Sequence, residues 1–293
     1  MAPIRHHWIT IDGRKVFVRE AGDPSRPPIV LLPGYPSSTR AYIRFIDRLA
    51  TRWHAVAIDY PGFGNSDPLP QSPTFDALAA ITAKAIDHLV VGGYGLYMFD
   101  YGGPIGFRIA LQHDLRVRGI VVQNANAYFD GFGQAFDTVS GWWKYPEEGA
   151  DGIHSMTSIE GTRAQWQAGA RNIEHIDPEH ALADQAIIDL PGRATYMRAL
   201  LWDYQNNPPK YPEWQAWLRK RQPKLTAAWG KNDPFFPPKG AQRYADDVPE
   251  ARIVLLDTGH FALEEVDTIA ALTHDMMTEA FPQTSAQPDR TRH

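Results

Sequence analysis

One stretch near the middle of the chain, LYMFDYGGPIG at residues 96–106, constrains the fold more than any other. Its first four residues form an apolar run, which is typical of a short buried strand. Two glycines, Gly102 and Gly103, interrupt this run, and a helical pattern follows them. A single acid, Asp100, lies between the strand and the helix. A reactive side chain on a sharp strand-to-helix turn is typical of a catalytic nucleophile, so the sequence predicts that Asp100 carries the chemistry.

Strand and helix patterns alternate on both sides of this turn. The alternation predicts an α/β fold with a mostly parallel central sheet and helices on both faces. Residues 6–21 add two alternating runs around Asp12-Gly13, which are typical of a hairpin at an antiparallel edge of the sheet. The strands are predicted at 29–36, from 55 onward, and at 95–99, 118–123, 224–229 and 252–256. The helices are predicted at about 39–51 and 74–90, from the central turn to about 114, and at about 238–247 and 262–280.

The alternation stops between residues 127 and 222, where helical patterns, such as 178–188 and 194–204, continue without a convincing strand. We therefore predict an α/β core domain, residues 1–126 and 223–293, into which a helical cap domain, residues 127–222, is inserted. Six of the nine tryptophans lie in this insertion, so either they form the core of a small helical domain or some of them line an apolar pocket. The pocket candidates are Trp142, Trp143 and Tyr196.

Three polar residues lie just past the carboxyl ends of predicted strands: Asp100, Asp233 and His260. The carboxyl ends of parallel strands meet at one edge of a sheet, and ligands bind at that edge. We therefore expect these three side chains to lie close together. Their order along the chain is nucleophile, acid and base, with the insertion between the first and the second.

Composition and charge exclude several classes of function. The net charge of −5 gives no basic surface that would indicate a nucleic-acid partner. The chain has no cysteine, which excludes disulfides, thiolate catalysis and cysteine-ligated metals. It begins MAPIRHHWIT, without the apolar run of a signal peptide, and no stretch of about 18 apolar residues would cross a membrane. We therefore expect a cytoplasmic protein with neither nucleic-acid nor membrane partners.

Five short motifs occur in an order that resembles the α/β-hydrolase superfamily over nearly the full length of the chain. Within it, the chain resembles the aspartate-nucleophile branch, which contains epoxide hydrolases and haloalkane and fluoroacetate dehalogenases. Any one motif alone is weak, whereas all five in this order are strong evidence for the fold. The motifs are PGYP at 33–36, DYPGFGNSD at 59–67, FDYGG at 99–103, GKNDPFFPP at 230–238 and DTGHFALEE at 257–265.

The chain departs from the pattern of this branch at two positions. Pro33 replaces a histidine of the first loop, and Tyr101 replaces the tryptophan whose indole N–H donates to the leaving halide in dehalogenases. The second departure concerns halide binding more than the hydrolytic machinery. The resemblance also leaves a second location for the acid, because some members place it after the preceding strand, where Asn124 and Asp130 lie.

The chemistry of an aspartate nucleophile follows from its charge. A carboxylate attacks an sp3 carbon without first losing a proton, which would form an alkyl ester on Asp100. His260 would then deprotonate a water that hydrolyses the ester, and Asp233 would orient the imidazole. The backbone N–H groups of Tyr35 and Tyr101 would bind the oxyanion, and one such donor is worth roughly 10²–10³ in rate. Neither step needs a cofactor, and the histidines lack metal-ligand spacing, so we expect no cofactor and no metal.

The leaving group decides between several functions. Epoxide hydrolases protonate the opened ring with a cap tyrosine, and LWDYQNN at 201–207 resembles the run that carries it, which indicates Tyr204. Weaker candidates are Tyr128, Tyr145, Tyr196 and Tyr211.

We expect a hydrolase that opens an electrophilic sp3 carbon–heteroatom bond in a small apolar organic substrate, with water as the second substrate. Conversion of an epoxide to a vicinal diol is the first hypothesis. The second is a haloalkane or haloacid dehalogenase with the same triad, in which Tyr35, Tyr101 or cap tryptophans hold the halide. The third is a non-catalytic ligand-binding or receptor protein of the same fold.

Overall fold

A central sheet of eight strands organises the computed structural model, which describes residues 3–282. The strands are β1 (Arg5–Ile11), β2 (Arg14–Ala21), β3 (Pro28–Leu32), β4 (His54–Ile58), β5 (Tyr94–Phe99), β6 (Val117–Gln123), β7 (Lys224–Gly230) and β8 (Arg252–Leu256). Their order across the sheet is β1-β2-β4-β3-β5-β6-β7-β8. Only the β1–β2 and β2–β4 pairs are antiparallel, so the predicted mostly parallel α/β fold is confirmed.

Helices cover both faces of this sheet. In the part of the fold outside the insertion they are α1 (Ile43–Leu49), α2 (Phe75–Leu89), α3 (Gly102–Gln112), α10 (Pro238–Asp247) and α11 (Val266–Ala280). Short 3-10 turns at Thr39–Tyr42 and Ala262–Glu265 precede α1 and α11. These bounds agree with the predicted helices to within a few residues, because each helix begins at a polar or glycine-rich boundary that the sequence makes visible.

The central strands are buried on both faces, and their side chains alternate between two apolar layers. In β3, Ile29 and Leu31 pack in the layer that contains residues of α1 and α11. Val30 and Leu32 pack in the layer that contains residues of α2 and α3. Strands covered on both faces read as continuous apolar runs, which is why the sequence indicates a parallel sheet.

The β1–β2 hairpin forms the antiparallel edge that the sequence predicts. Asp12 and Gly13 connect the strands with φ of +48° and +76°. Positive φ at both central residues matches the right-handed twist of the flanking strands, and Asp-Gly tolerates it well. The hairpin lies at the edge opposite β8 and far from the ends of β5 and β7 in the sheet order.

Every described secondary-structure element between β6 and β7 is a helix or a 3-10 turn. They are α4 (Asp137–Lys144), α5 (Pro146–Met156), α6 (Ile159–Gln167), α7 (Glu179–Ile188), α8 (Arg193–Asp203) and α9 (Tyr211–Arg221), with short 3-10 turns between some of them. The division into a core domain and a cap domain at residues 127–222 stays a prediction, and we call this segment the insertion. None of the helices within residues 3–282 combines the length and apolar content needed to span a bilayer.

Several contacts fix the insertion on the sheet. The Tyr196 hydroxyl of α8 donates to the backbone oxygen of Pro61 (2.9 Å), in the loop after β4. Trp217 of α9 donates its indole N–H to Asp114 (2.8 Å) at the end of α3. Close to the ends of the strands, the backbone N–H of His260 donates to the Ala168 oxygen (3.0 Å). The first and third contacts place parts of the insertion at the carboxyl edge of the sheet, where the predicted catalytic residues meet, whereas the second lies near the amino ends of β6 and β7.

Candidate active site

The turn between β5 and α3 places Asp100 at the edge of the sheet. Asp100 has φ of +48°, a conformation that a short polar side chain tolerates better than most. Its backbone oxygen accepts from the N–H of Gly103 (2.9 Å), which closes the turn at the start of α3. Glycine is required at 102, because a Cβ there would lie 2.3 Å from the backbone oxygen of Leu32. The tight contact between α3 and β3 holds the acid at the tip of a rigid support.

The two carboxylate oxygens of Asp100 have different surroundings. The backbone N–H of Tyr35 donates to Oδ1 at 2.6 Å. Oδ2 lies 3.8 Å from Nε2 of His260, which is too far for a hydrogen bond. Burial raises the pKa of Asp100 to about 6, although His260 and the N–H groups of Tyr35 and Tyr101 lower it. At neutral pH the carboxylate is therefore largely ionised.

His260 and Asp233 form a buried pair behind this carboxylate. Nδ1 of His260 lies 2.7 Å from Oδ2 of Asp233, so the geometry assigns the proton of the neutral imidazole to Nδ1. Burial lowers the pKa of His260, but the charges of Asp233 and Asp100 and the hydrogen bond raise it, with a net upward shift. A neutral His260 thus presents an unprotonated Nε2 toward Asp100, as a general base requires.

Asn124, at the end of β6, positions Asp233. Its Nδ2 donates to Oδ2 of Asp233 (2.7 Å), and its Oδ1 accepts from the backbone N–H of Gly230 (2.9 Å). The other Asp233 oxygen accepts from the N–H of Phe235 (2.7 Å). The structure brings Asp233 to the histidine, whereas Asp130, the alternative acid, forms a surface ion pair with Lys239 (3.0 Å).

These groups share a small cavity between the edge of the sheet and the insertion. The cavity has a volume of about 30 Å³. Its lining is mostly apolar, with a few polar side chains. The lining residues are Tyr35, Asp100, Tyr101, Phe136, Val139, Met156, Gln165, Leu201, Tyr204, Phe235, Phe236 and His260.

The structure brings three of the predicted tyrosines to this cavity. The hydroxyl of Tyr35 is already engaged, because it donates to the backbone oxygen of Met156 (2.9 Å). The hydroxyl of Tyr101 is buried and has no partner within residues 3–282. Burial, Tyr211 and the charge of Asp100 raise the pKa of Tyr204 well above its usual value, so its hydroxyl stays protonated.

The structure does not bring the three predicted pocket residues of the insertion to the cavity lining. Trp142 packs against Trp202, with ring centroids 4.9 Å apart. Trp143 donates its indole N–H to the backbone oxygen of Leu201 (2.9 Å). The hydroxyl of Tyr196 faces the loop after β4. The prediction that these three side chains line the cavity therefore does not agree with the structure. Each uses its polar atom or its ring to pack the insertion, which is the alternative that the sequence left open for these aromatic residues.

Several other lining residues were not predicted from the sequence. Most are apolar residues whose spacing does not distinguish a cavity wall from a packed core. Gln165 is polar, but a single glutamine in a short polar helix gives no periodic signal. Phe235 and Phe236 lie inside the quoted motif GKNDPFFPP, so their place beside Asp233 could have been inferred from the motif.

Comparisons with known proteins agree with this geometry. A profile of the alpha/beta hydrolase fold matches residues 27–155. The chain is 38% identical over 267 residues to the uncharacterized hydrolase YNR064C of Saccharomyces cerevisiae, covering 89% of this chain and 92% of that protein. It is 32% identical over 123 residues to haloalkane dehalogenase 2 of Mycobacterium tuberculosis, covering 42% of each.

More distant proteins are also similar over most of the chain. Epoxide hydrolase 2 of Caenorhabditis elegans is 22% identical, with 86% of this chain and 73% of that protein covered. The crystal structure of Cfl2 from Burkholderia cenocepacia is 21% identical and superposes with a TM-score of 0.78, covering 93% and 95% of the two chains. Given this sheet, this order of strand-end residues and these relatives, the chain belongs to the α/β-hydrolase superfamily and is a hydrolase of that family.

Proposed function

We propose that this hydrolase converts an epoxide to a vicinal diol through a covalent ester on Asp100. One observation carries the proposal: Asp100, the His260–Asp233 pair and the protonated hydroxyl of Tyr204 belong to one cavity. These are the groups that the two chemical steps need, which are a nucleophile, a base and an acid for the alkoxide. The epoxide hydrolase among the relatives supports the same choice of leaving group.

In the first step, Oδ2 of Asp100 attacks one ring carbon and the bond from this carbon to the epoxide oxygen breaks. The developing alkoxide takes the proton of the Tyr204 hydroxyl, which leaves a phenolate. Since Oδ1 is held by the Tyr35 N–H at 2.6 Å, Oδ2 is the oxygen free to react. The product is an alkyl ester whose carbonyl oxygen, Oδ1, already accepts a hydrogen bond from the Tyr35 N–H, one of the oxyanion donors.

In the second step, Nε2 of His260 takes a proton from water, and the hydroxide attacks the ester carbonyl carbon of Asp100. The N–H groups of Tyr35 and Tyr101 stabilise the tetrahedral oxyanion. When the intermediate collapses, the diol oxygen leaves with the proton from His260. The new carboxylic acid of Asp100 loses its proton to the Tyr204 phenolate, so one epoxide and one water give one diol and the enzyme returns to its starting state.

Dehalogenation is the second candidate, and one observation favours it. The buried Tyr101 hydroxyl has no partner within residues 3–282 and lies beside the nucleophile, where it could donate to a departing halide. The similarity to a haloalkane dehalogenase over 123 residues points the same way. No tryptophan is among the lining residues in the described part of the chain, so the indole donor would have to be replaced by this phenol.

A single turnover in H₂¹⁸O tests the ester. We expect the label in the Asp100 side chain, and a first product whose new oxygen is unlabelled because it came from the carboxylate. Mass analysis of the peptide that contains Asp100 reads the result, with Asp100→Asn as the unreactive control. Label that passes directly into the diol and leaves the side chain unmarked would overturn the proposal.

A matched panel of epoxides and primary alkyl halides then separates the two leaving groups. Diol release that exceeds halide release, together with a loss of diol but not halide release in Tyr204→Phe, supports epoxide hydrolysis. The opposite pattern would assign dehalogenation.

A further inference from the structure

Gln165 is the one amide side chain of the cavity lining, and neither chemical step uses it, as neither uses the hydroxyls of Tyr35 and Tyr101. It lies near the end of α6 and is only 5% exposed. Its amide has no hydrogen-bond partner within residues 3–282. Gln185, a neighbouring buried glutamine, differs in this respect: it accepts from Thr162 (2.8 Å) and donates to the oxygens of Thr157 and Asp189.

The polar atoms of this amide are not among the unpartnered atoms of the described residues that are sealed from solvent, so the amide is open to the space of the cavity. A polar group of a bound molecule can therefore reach it. Because Gln165 contributes to the wall around Asp100 and His260, a molecule that reacts at Asp100 is the partner within its reach.

The chain that follows Gln165 is held by two contacts. The next residue, Trp166, donates its indole N–H to Asp184 (2.8 Å) and stacks on Phe261, with centroids 3.9 Å apart. Two residues further on, the Ala168 oxygen accepts from the N–H of His260 (3.0 Å). The backbone that carries Gln165 is therefore held close to the backbone of the base, His260.

The rest of the wall limits what this amide can recognise. Beyond Asp100, His260 and the three tyrosines, the other lining side chains are apolar: Phe136, Val139, Met156, Leu201, Phe235 and Phe236. A volume of about 30 Å³ holds only a few water molecules, so a bound substrate must displace part of this wall and a large one is disfavoured. One polar substituent close to the reacting carbon could therefore be satisfied, and a charged or extended polar group could not.

We propose that the preferred substrates are small epoxides that carry a hydroxyl or carbonyl group on the carbon next to the ring, and that Gln165 hydrogen-bonds to this group. This inference rests on the proposed function. It predicts discrimination between substrates of equal size, because a site with a buried amide rejects an apolar analogue that leaves the amide unpaired.

Glycidol and 1,2-epoxybutane test the proposal, since they differ mainly by a hydroxyl in place of a methyl. We expect the native enzyme to prefer glycidol by at least about tenfold in kcat/KM, which corresponds to one hydrogen bond. Gln165→Met keeps the size of the side chain and removes the amide. It should lower kcat/KM for glycidol by about tenfold and leave that for 1,2-epoxybutane unchanged or higher.

Gln167→Met is the matched control, because Gln167 lies on the same helix but is not among the lining residues. It should leave the ratio of the two substrates as in the native enzyme. If Gln165→Met fails to fold, the native enzyme alone decides: equal rates, or a preference for 1,2-epoxybutane, would overturn the inference.

Trapping separates this inference from the proposed function. In a His260→Gln background, Asp100 should be alkylated by both epoxides, and mass spectrometry counts the adduct. Adducts that form at a ratio unaffected by Gln165→Met would overturn the role of Gln165 and leave the ester mechanism standing. If neither epoxide gives an adduct, the proposed function fails and the inference falls with it.

Discussion

Two residues that shape the site, Asp100 and Asn124, have a backbone conformation that L-amino acids rarely adopt. Their φ values are +48° and +42°, at the ends of the neighbouring strands β5 and β6. Such a residue costs roughly 1–2 kcal/mol unless its side chain is short and can bond locally. Asp and Asn meet this condition, so either can replace the other here with the turn preserved, which makes these positions good sites for chemical tests.

The pKa of Asp100 predicts the pH dependence of ester formation. Only the carboxylate attacks carbon, and its pKa is about 6. The rate of alkylation should therefore be half-maximal near pH 6 and fall about tenfold for each pH unit below that. Rapid quenching and mass analysis of the Asp100 peptide would measure it.

A variant of His260 supplies the control for this prediction. Because the charge of His260 lowers the pKa of Asp100, His260→Gln should move the alkylation profile to higher pH. A profile that stays flat between about pH 5 and 8, or that moves to lower pH in the variant, would contradict this assignment of the nucleophile.

Asn124 should affect the second step more than the first. Asn124→Gly keeps the left-handed backbone without added strain, removes the 2.7 Å bond to Asp233 and leaves that carboxylate less firmly oriented toward His260. We expect ester hydrolysis to slow by about 10- to 100-fold while alkylation changes little, so the ester accumulates. Pre-steady-state kinetics separate the steps. Asn126→Ala, on the same loop but bonded to Tyr128 rather than to the triad, should not accumulate ester.

The three residues that the sequence predicts to lie close together, and that the structure brings together, share one property. Asp100, Asp233 and His260 each follow a strand, and the parallel sheet converts that pattern into proximity. Gln165 and the inward positions of α4 and α5 have no such rule, because which side of a short helix faces a cavity depends on how the helix packs. Trp142 shows the same limit, since only its contact with Trp202 reveals where it points.

At the scale of elements, the contact between α3 and β3 fixes the turn that carries Asp100. Gly102→Ala would place a Cβ 2.3 Å from the backbone oxygen of Leu32, so the helix or the strand must shift. We expect a loss of about 1–3 kcal/mol in the free energy of unfolding and a fall in alkylation rate, since the nucleophile moves with the helix. Urea denaturation and adduct formation measure the two effects.

A glycine in an open position provides the comparison. Gly141 lies within α4, and a Cβ there would meet no atom within 4 Å. Gly141→Ala should raise the free energy of unfolding by up to about 1 kcal/mol, because alanine is the better helix former. If both substitutions change the free energy of unfolding in the same direction, close packing at the turn is not the reason that residue 102 is a glycine.

The local signals for these elements differ in strength, which explains how the predictions divide. The β1–β2 hairpin and α2 follow from a turn dipeptide and from a long apolar period, and both are confirmed. Within the insertion, α7 and α8 match the predicted 178–188 and 194–204 closely. The helices α4 to α6 were not predicted one by one, because each contains one or two glycines, which weaken a helical pattern, whereas α7 and α8 contain none.

At the scale of the whole molecule, the buried charge of Asp100 is needed for ester formation but lowers the stability of the fold. The pKa of Asp100 is about 6 in the folded protein, above the ordinary value of 3.8. The folded state therefore binds the proton more tightly than the unfolded state does. The resulting stability is present below about pH 4 and is lost as the pH rises through about 6. The nucleophile is charged at neutral pH at a cost to the fold of up to about 3 kcal/mol.

Asp100→Asn should consequently abolish ester formation and stabilise the protein. Asparagine keeps the left-handed turn and can still accept from the Tyr35 N–H, but it carries no charge. We expect the variant to exceed the native protein in free energy of unfolding by up to about 3 kcal/mol above pH 6, with the difference vanishing near pH 4. Urea denaturation of both proteins between about pH 4 and pH 7 measures this difference. Groups that titrate alike in the two proteins do not contribute to it, because their effects cancel.

Asp130→Asn should lower the free energy of unfolding at neutral pH, whereas Asp100→Asn should raise it. The comparison therefore isolates the effect of burial. The hydrogen bond from Lys239 lowers the pKa of Asp130, so its carboxylate stabilises the fold above its ordinary pKa and this contribution is lost as the pH falls. The native protein should then be slightly more stable than this variant at neutral pH. A gain in stability for Asp130→Asn, or a loss for Asp100→Asn, would mean that burial of the nucleophile is not what opposes its charge.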